Sequence, residues 1–344
     1  MIKRSIYSLM FGKGNKIFYF LFGQIFLLLS FAYFIIVGAI KILYKLNILK
    51  SAKLNAKVIS IGNITWGGTG KTSLVLLLAK FLQGKDIKTA ILIRGYGDDE
   101  DKMLRRQLEG ALVLSGRNRL KNAKAAEGKY RPDAIILDDG FQHWRIRRDL
   151  DIVTINALNP FGNKNVIPAG ILREPLFALR RAGLIVLTKT NLVDKEKIAK
   201  IKGDILRIDP KAEIFEAEYK PVSITSLKEN KEFEANFIKA KRLCAVSGLG
   251  DNISFFKMLK DLGADLACEL SYPDHHRYTL KDIKHIINSA KVTNSNAIIT
   301  TKKDWIRLEQ IMMPCRIDVL LFNITIKIAD ENKFYNRISA LLNR

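Results

Sequence analysis

Cysteine is scarce in this chain of 344 residues. Its three cysteines, Cys244, Cys268 and Cys315, are isolated from one another, odd in number and form no CxxC pair. Disulfide frameworks and structural zinc sites both need grouped cysteines, so neither is indicated. We expect buried thiols in a reducing compartment.

Acidic residues are also few, with 34 Asp and Glu against 57 Lys and Arg and a net charge of +23. This balance is typical of proteins that bind nucleic acid, an anionic membrane surface or an acidic substrate. The basic residues are scattered among apolar runs, and no zinc-finger, RRM or helix-turn-helix pattern stands out. Nucleic acid is therefore the least supported partner, and no obligate protein partner is indicated.

Charge is absent from residues 17–40, which read IFYFLFGQIFLLLSFAYFIIVGAI. A bilayer takes about 20 residues of helix, so the run is long enough to cross one. The length of the run and the lack of a following A-x-A site argue against a cleaved signal peptide. Lysines flank both sides, so the positive-inside rule decides little. We expect a span with its N-terminus outside or a helix in the cytoplasmic leaflet, against the alternative of a buried core helix.

A glycine-rich turn follows the first strand-like run, where residues 58–72 read VISIGNITWGGTGKT. Glycines let the backbone approach a polyphosphate, the lysine reaches the terminal phosphates and the threonine hydroxyl ligates Mg²⁺. The strict GxxxxGK[ST] pattern wants glycine where this chain has Thr65. Strand, loop, Lys-Thr and apolar helix nevertheless come in the right order, which favours a nucleotide site over a plain turn. Its predicted residues are Gly67, Gly68, Thr69, Gly70, Lys71 and Thr72.

From residue 57 onward, short β-branched runs alternate with helix-length segments. This alternation predicts parallel βαβ units in a doubly wound sheet, and a second series begins near Arg242. We predict an α/β fold, with a P-loop NTPase-like parallel sheet domain and a smaller second α/β domain behind the N-terminal membrane helix. The predicted boundaries are 1–56 for the helix and its basic flanks, 57–210 for the nucleotide domain, 211–240 for a linker, 241–328 for the second domain and 329–344 for a C-terminal helix.

Polar clusters follow several predicted strands, at the edge where parallel sheets gather functional residues. DAIILDDGFQH places Asp138 and Asp139 after a buried run, the usual position of a carboxylate that serves Mg²⁺; the alternative is a surface turn. The segment LIRGYGDDED offers Arg94 to a phosphate and an acidic group as base, or else is a solvated loop tip. Taken by themselves, Arg173 and Glu174 in PAGILREPL are typical of an ion pair at the start of a helix.

Two further clusters lie in the second series. SYPDHHRYT brings Asp274, His275 and His276 together, but adjacent histidines point in different directions, and metal ligation lacks companion residues. TTKKDWIRL contains residues 301–304, Thr-Lys-Lys-Asp, which resemble the TKxD base-reading motif of GTPases. That match is short and carries little weight alone.

The pieces GNITWGGTGKT, RGYG, DDGFQH, PAGILREPL, DHHRYT and TKKD, in this order, resemble the tetraacyldisaccharide 4′-kinases, the lipid A 4′-kinases of Gram-negative bacteria. The resemblance runs from the membrane helix to about residue 310. DDGFQH together with PAGxLREPL is its most specific part. It implies transfer of the γ-phosphoryl group of ATP, with Mg²⁺, to the 4′-hydroxyl of a tetraacylated disaccharide 1-phosphate. It also implies two α/β/α domains joined by a two-stranded linker, with the nucleotide between them.

The same resemblance implies roles for single residues. Asp99 matches the family's base, although GDDED departs from the family's GDEP-like segment and leaves Asp98 open. A family histidine that pairs with the base falls on His275 or His276, of which we favour His275. The implied catalytic residues are Asp99, His275, His276 and Lys71. The implied metal ligands are Thr72, Asp138 and Asp139. The implied substrate-binding residues are Arg94, Asp139, His143, Arg173 and Glu174.

The sequence thus predicts a membrane-bound lipid kinase that uses ATP and Mg²⁺ and acts on the lipid A disaccharide precursor. We expect it at the inner membrane, with its catalytic domains facing the cytoplasm and the cytoplasmic leaflet as its partner. The main alternative is a membrane-bound regulatory GTPase or ATPase without a lipid acceptor. A third is an ATP-driven assembly factor.

Overall fold

The computed structural model describes residues 16–95, 98–108, 110–274, 276–312 and 317–343, with side chains from residue 23 in the first helix and from residue 101 in the segment that begins at 98. They fall into two compact units. The first lies within Met1–Arg94, Gly110–Glu218 and Ile328–Arg344, and the second within Gly95–Glu109 and Tyr219–Lys327. The predicted α/β class is confirmed.

Nine α-helices connect and cover the strands among the described residues. They are α1 Lys16–Lys45, α2 Lys71–Gln83, α3 Asp98–Gln107, α4 Arg119–Lys129, α5 Lys195–Ile208, α6 Asn252–Asp261, α7 Leu280–Val292, α8 Lys302–Leu308 and α9 Glu331–Leu342. Side-chain caps begin several of them, including a Thr279–Asp282 capping box on α7.

The first unit is built on a parallel sheet. Its strands are β1 Lys57–Gly62, β2 Thr89–Ile93, β3 Leu112–Ser115, β4 Ala134–Asp138, β5 Leu150–Asn156, β6 Leu184–Thr188 and the start of β7 Ile214–Ser226, in the order β7-β6-β5-β1-β4-β2-β3. Every neighbouring pair in this part is parallel. Strands β2, β4 and β6 are buried along their whole length, as expected of a sheet covered on both faces.

The strand order turns at β1, whose neighbours are β4 on one side and β5 on the other. Open parallel sheets bind ligands at such a switch point, beyond the carboxyl ends of the strands. Two apolar clusters pack the unit, one around Phe141, Leu172 and Leu187 and another around Leu92 and Leu137. The fold therefore places the segments after β1 and β4 side by side at one edge.

The second unit contains further strands. Its strands are β8 Lys231–Glu234, β9 Arg242–Ser247, β10 Asp265–Ser271, β11 Ala297–Thr301 and β12 Asp318–Ile328. The order is β10-β9-β11-β12 with parallel pairs, followed by the second part of β7, which pairs with β8 in antiparallel fashion. The predicted linker 211–240 contains β7 and β8. The predicted domain boundaries stay predictions.

Residues 95–109 belong to the second unit although the chain reaches them from β2 of the first. Helix α3 packs against α8, and Arg106 donates to both carboxylate oxygens of Glu309, at 3.2 and 2.9 Å. The segment is a helix from Asp98 rather than the loop tip considered above. Acidic residues in a first helical turn face the positive end of the helix dipole, which explains the difference.

Helix α1 lies against the first unit along one stripe. Ser30 is buried and its hydroxyl donates to the Val166 carbonyl at 2.8 Å and accepts from the Ala169 amide at 2.8 Å. The Tyr33 hydroxyl donates to the Arg173 carbonyl at 2.7 Å. Only 6% of its most apolar window, within Gly23–Lys45, is buried, so the remaining face is an exposed apolar surface. By length and composition this helix is able to cross a membrane.

Candidate functional site

The phosphate loop connects β1 to α2 at the switch point. Gly67 and Gly70 adopt positive φ angles of 118° and 83°, which glycine reaches without steric cost. Gly70 stands directly before Lys71 at the start of α2, and no side chain caps this helix. The first amides of α2 are therefore left to an anion, as in phosphate-binding loops.

A layer of buried polar side chains supports the loop from the sheet. The Asn63 amide donates to the Thr69 hydroxyl at 2.9 Å, and the Thr69 and Thr154 hydroxyls lie 2.8 Å apart. From β6, the Thr188 hydroxyl donates to the Thr69 carbonyl at 3.0 Å. Lys189 donates to the Gly68 carbonyl at 3.3 Å. The loop is thus held in shape from below.

Thr65 stands where the strict motif has glycine, and the structure gives the reason. It forms an antiparallel bridge with Leu172, flanked by hydrogen bonds from the Trp66 amide to the Ile171 carbonyl and from the Arg173 amide to the Ile64 carbonyl, both 2.7 Å. A β-branched residue suits such an extended, paired backbone. This pairing also joins the PAGILREPL segment to the phosphate loop.

Asp139 gathers two cations at the mouth of the loop. Arg173 donates to both of its oxygens, at 2.7 and 2.9 Å, and the Lys71 ammonium lies 3.5 Å from Oδ1. Burial opposes ionisation of this carboxyl, but Lys71 and Arg173 outweigh it and lower its pKa to about 2. Asp139 is therefore a carboxylate at any physiological pH.

Arg119 holds the same turn from behind, and the sequence reasoning missed it. Its buried guanidinium donates to the carbonyls of Asp138 and Asp139, at 2.6 and 3.2 Å. Asp139 has a φ of 52°, in the left-handed region that is uncommon for residues other than glycine, and these hydrogen bonds hold the turn in that conformation. The arginine begins α4 after β3, in SGRNR, a position without a motif of its own.

His143 lies close to these cations. Burial and the nearby charges of Arg119 and Arg148 lower its pKa to about 4, so the imidazole is neutral near pH 7. Its Nε2 atom is buried without a hydrogen-bond partner in the described part of the chain. A buried, neutral imidazole nitrogen next to an anion site is a candidate contact for substrate.

Glu174 is buried, at 1% exposure, and does not pair with Arg173 as a helix-start ion pair would. Instead Arg181 donates to both of its oxygens, at 2.8 and 3.1 Å, and the Lys41 ammonium of α1 lies 2.5 Å away. Gln142 donates to the same carboxylate at 3.2 Å. Pro175 caps a short 3₁₀ helix, Leu176–Arg181, rather than occupying the first position of an α-helix. No sequence motif marked Lys41 or Arg181.

The remaining predicted site residues lie after β2, in the first turns of α2 and α3, or outside the described residues. Arg94 is exposed just after β2, and its positive charge contributes to the lowered pKa values of Arg119 and His143. Thr72 is half-buried in the first turn of α2. Asp99 lies in the first turn of α3, where only the backbone is described. His275 lies outside the described residues.

His276 is tied into the second unit. Its Nε2 lies 3.1 Å from Asp282 Oδ2, and its ring stacks on Tyr272 with centroids 4.8 Å apart. Tyr278 contacts the same ring edge-on at 5.0 Å. These contacts fix the imidazole against the start of α7.

Asp304, the last residue of the TKKD segment, is fully buried. It accepts hydrogen bonds from the Thr301 hydroxyl at 2.8 Å, the Gly248 amide at 3.1 Å and the Tyr278 hydroxyl at 3.2 Å. Burial raises the pKa of this carboxyl above its ordinary value. A carboxylate enclosed in this way is not available to a guanine base, so the TKxD interpretation of residues 301–304 loses its support.

The first unit thus brings together several of the predicted site residues. They are Lys71, Thr72, Asp138, Asp139, His143, Arg173 and Glu174. Among the described residues there is no cluster of three or more His, Cys, Asp or Glu side chains that would hold a metal by protein ligands alone. Mg²⁺ ordinarily takes one or two carboxylates together with substrate phosphates, and the oxygen donors of Thr72, Asp138 and Asp139 fit that requirement.

Comparison with known proteins finds relatives of this chain. The family model described as tetraacyldisaccharide-1-P 4′-kinase matches residues 23–343. A tetraacyldisaccharide 4′-kinase of Halothermothrix orenii is 36% identical over 303 residues, covering 78% of this chain and 79% of that relative. One from Elusimicrobium minutum is 34% identical over 340 residues, covering 91% and 90%.

A solved structure is similar over most of the chain. It is the LpxK of Aquifex aeolicus in complex with ATP, with a TM-score of 0.69 and 29% identity, covering 91% of this chain and 97% of that one. The phosphate loop, the acidic turn and PAGILREPL stand within the matched region. The chain belongs to the tetraacyldisaccharide-1-P 4′-kinase family.

Proposed function

We propose that this chain transfers the γ-phosphoryl group of ATP to the 4′-hydroxyl of tetraacyldisaccharide 1-phosphate. The observation that carries the proposal is the contact between the phosphate-loop lysine and the acidic turn. Lys71 lies 3.5 Å from Asp139, which Arg173 holds ionised. Phosphoryl transfer depends on positioning and charge neutralisation, and this cluster supplies both at the end of a nucleotide-binding loop.

ATP fits the uncapped start of α2, where Gly67 and Gly70 keep side chains away from the phosphates. Thr72, Asp138 and Asp139 would hold Mg²⁺ together with ATP, and the ion would neutralise charge on the β- and γ-phosphates. Lys71 would then exchange its contact with Asp139 for the terminal phosphates. Arg173 remains on Asp139 and keeps it anionic throughout.

The acceptor hydroxyl needs a base, which we assign to Asp99, with Asp98 as its neighbour. The carboxylate takes the proton of the 4′-hydroxyl as that oxygen attacks the γ-phosphorus and ADP leaves. A histidine would orient this carboxylate. His276 is already bound to Asp282 and stacked on Tyr272, which favours His275 for that role.

We also propose that α1 is immersed in one leaflet from the cytoplasmic side. Ser30 and Tyr33 hydrogen-bond to the first unit, and thirteen uncharged residues, 17–29, precede these contacts. Thirteen residues of helix span about 20 Å, short of the ~30 Å hydrocarbon core. Trp66 and Phe177 are 55% and 51% exposed in the same unit and suit the interface.

The enzymatic proposal is tested by transfer of label from γ-labelled ATP to detergent-dispersed tetraacyldisaccharide 1-phosphate with Mg²⁺. We expect Lys71→Ala and Asp99→Ala to abolish transfer, and Asp99→Ala to leave ATP binding nearly intact. Asp98→Ala is the matched control for the base. Normal transfer by Asp99→Ala together with its loss in Asp98→Ala would move the base to Asp98. Label released only as free phosphate, or only from GTP, would support the NTPase alternatives instead.

The helix proposal is tested by labelling a single cysteine placed before residue 16, in a cysteine-free background, with an impermeant maleimide. In right-side-out vesicles the one-leaflet helix leaves this thiol protected, and it reacts only after permeabilisation. Labelling of intact vesicles would show a span with its N-terminus outside.

A further inference from the structure

Lys41 joins the apolar helix α1 to the rest of the first unit through an ion pair near the end of the helix. It follows the uncharged run on α1 and lies on the same stripe as Ser30 and Tyr33. Its ammonium is 2.5 Å from the Glu174 carboxylate, and its side chain is only 17% exposed. Lysines at the ends of membrane helices ordinarily extend toward lipid head groups. This one is directed at the protein instead, which calls for an explanation.

Glu174 has almost no contact with solvent, at 1% exposure. Its charge is balanced by Arg181 on one side and by Lys41 on the other, at 2.8 and 2.5 Å. Burial opposes ionisation, but these two cations outweigh it and hold the pKa of the carboxyl below its usual range. Because a buried anion must keep its partners, its position is set by where those two cations stand.

Gln142 links the Glu174 carboxylate to the phosphate loop. Its amide nitrogen donates to the Glu174 carboxylate at 3.2 Å and to the Asn63 carbonyl at 2.9 Å. The Asn63 side chain in turn donates to Thr69 at 2.9 Å. Asn63 and Thr69 are buried and lie at the two ends of the loop that begins after β1. An ion pair, two hydrogen bonds from Gln142 and the covalent frame of Asn63 therefore connect α1 to the loop.

We propose that Lys41 is a positioning residue for phosphoryl transfer: it acts through Glu174 and Gln142, so that the seating of the apolar helix sets the geometry of the phosphate loop. The helix is then part of the catalytic apparatus as well as an anchor. This inference rests on the proposed kinase function. It predicts that transfer depends on the charge of Lys41 even when the protein remains attached to the membrane or micelle.

The test compares Lys41→Met with Lys45→Met in the full-length chain, in mixed micelles containing the lipid acceptor. Both variants remove one charge from the same helix, but Lys45 is exposed and forms no ion pair among the described residues. Displacing a loop by a fraction of an ångström costs on the order of 10-fold in turnover. We expect Lys41→Met to lower kcat about 10-fold with little change in KM for the lipid, and Lys45→Met to stay within about twofold of the parent.

Lys41→Arg keeps the charge and should restore most of the lost kcat, which a loss of membrane attachment would not explain. Thermal unfolding and ATP binding are measured on each variant. If Lys41→Met does not fold, Lys41→Gln and Lys41→Arg replace it, with a higher kcat expected for Arg. Equal kcat in the parent and the charge-removing variants, or a change confined to KM for the lipid, would overturn the inference. A parent protein that transfers no label to lipid would instead overturn the kinase proposal.

Discussion

Gly62 joins β1 to the phosphate loop and lies against the acidic-turn segment. A Cβ at this position would stand 2.6 Å from the Phe141 Cβ and 2.7 Å from the Phe141 amide nitrogen. Carbon atoms in contact ordinarily lie about 3.5–4.0 Å apart, so one backbone must move by about 1 Å. Phe141 is fully buried in the core cluster and has little room to yield. We expect Gly62→Ala to destabilise the protein by about 1–3 kcal/mol.

Gly203→Ala is the matched control, because it makes the same chemical change in the middle of α5. Nothing lies within 4 Å of a Cβ there. Alanine is a better helix former than glycine, so this variant should gain about 0.5–1 kcal/mol. Denaturant unfolding of the detergent-solubilised protein, followed by tryptophan fluorescence, measures both changes. A Gly62→Ala protein as stable as the parent would refute the argument that close approach to Phe141 requires glycine.

Two further predictions concern single ionisable groups. His143 should stay neutral from pH 5 upward, because burial and arginine charges lower its pKa to about 4. In the unfolded chain the same imidazole takes up its proton near pH 6.5. The contribution of His143 to the free energy of unfolding is therefore lost as the pH falls from about 6.5 to 4. NMR titration of the ring should show a midpoint near 4 that a ring ionising above 6 would contradict. Asp304→Asn should destabilise the protein by about 3 kcal/mol, since it breaks an enclosed network with Arg307, without altering the preference for ATP over GTP. Chemical unfolding measures the stability, and competition between ATP and GTP measures the nucleotide preference. A preference that differs from that of the parent would support a base-reading role for Asp304.

Much of the fold was predictable because its signals are local. The alternation of β-branched runs and helix-length segments gave the class, and strands such as β4 and β6 are buried along their full length as continuous apolar runs suggest. The placement of residues 95–109 was not predictable. It depends on α3 packing against α8 through Arg106 and Glu309, which are far apart in the chain. Chain order alone assigned this segment to the nucleotide domain.

The candidate site divides in the same way. Lys71, Asp139 and Arg173 were found because each stands in a motif, and the structure brings them together. Arg119, Arg181 and Lys41 were missed because they act by supporting other residues, and no local pattern distinguishes such an arginine or lysine from a solvated one. The TKKD match failed for the opposite reason: a local pattern was present, but Asp304 is enclosed by its own neighbours.

The Asp138–Asp139 turn is ordered before nucleotide binds, because two arginines hydrogen-bond to it. Arg119 fixes its carbonyls from behind, and Arg173 fixes the Asp139 carboxylate from the front. Ordering a flexible backbone residue costs about 1–2 kcal/mol of conformational entropy, and this turn has already lost that freedom in folding. A nucleotide arriving at the loop therefore spends none of its interaction energy on shaping the acidic turn. More of that energy is left to hold the phosphates in the orientation that transfer needs.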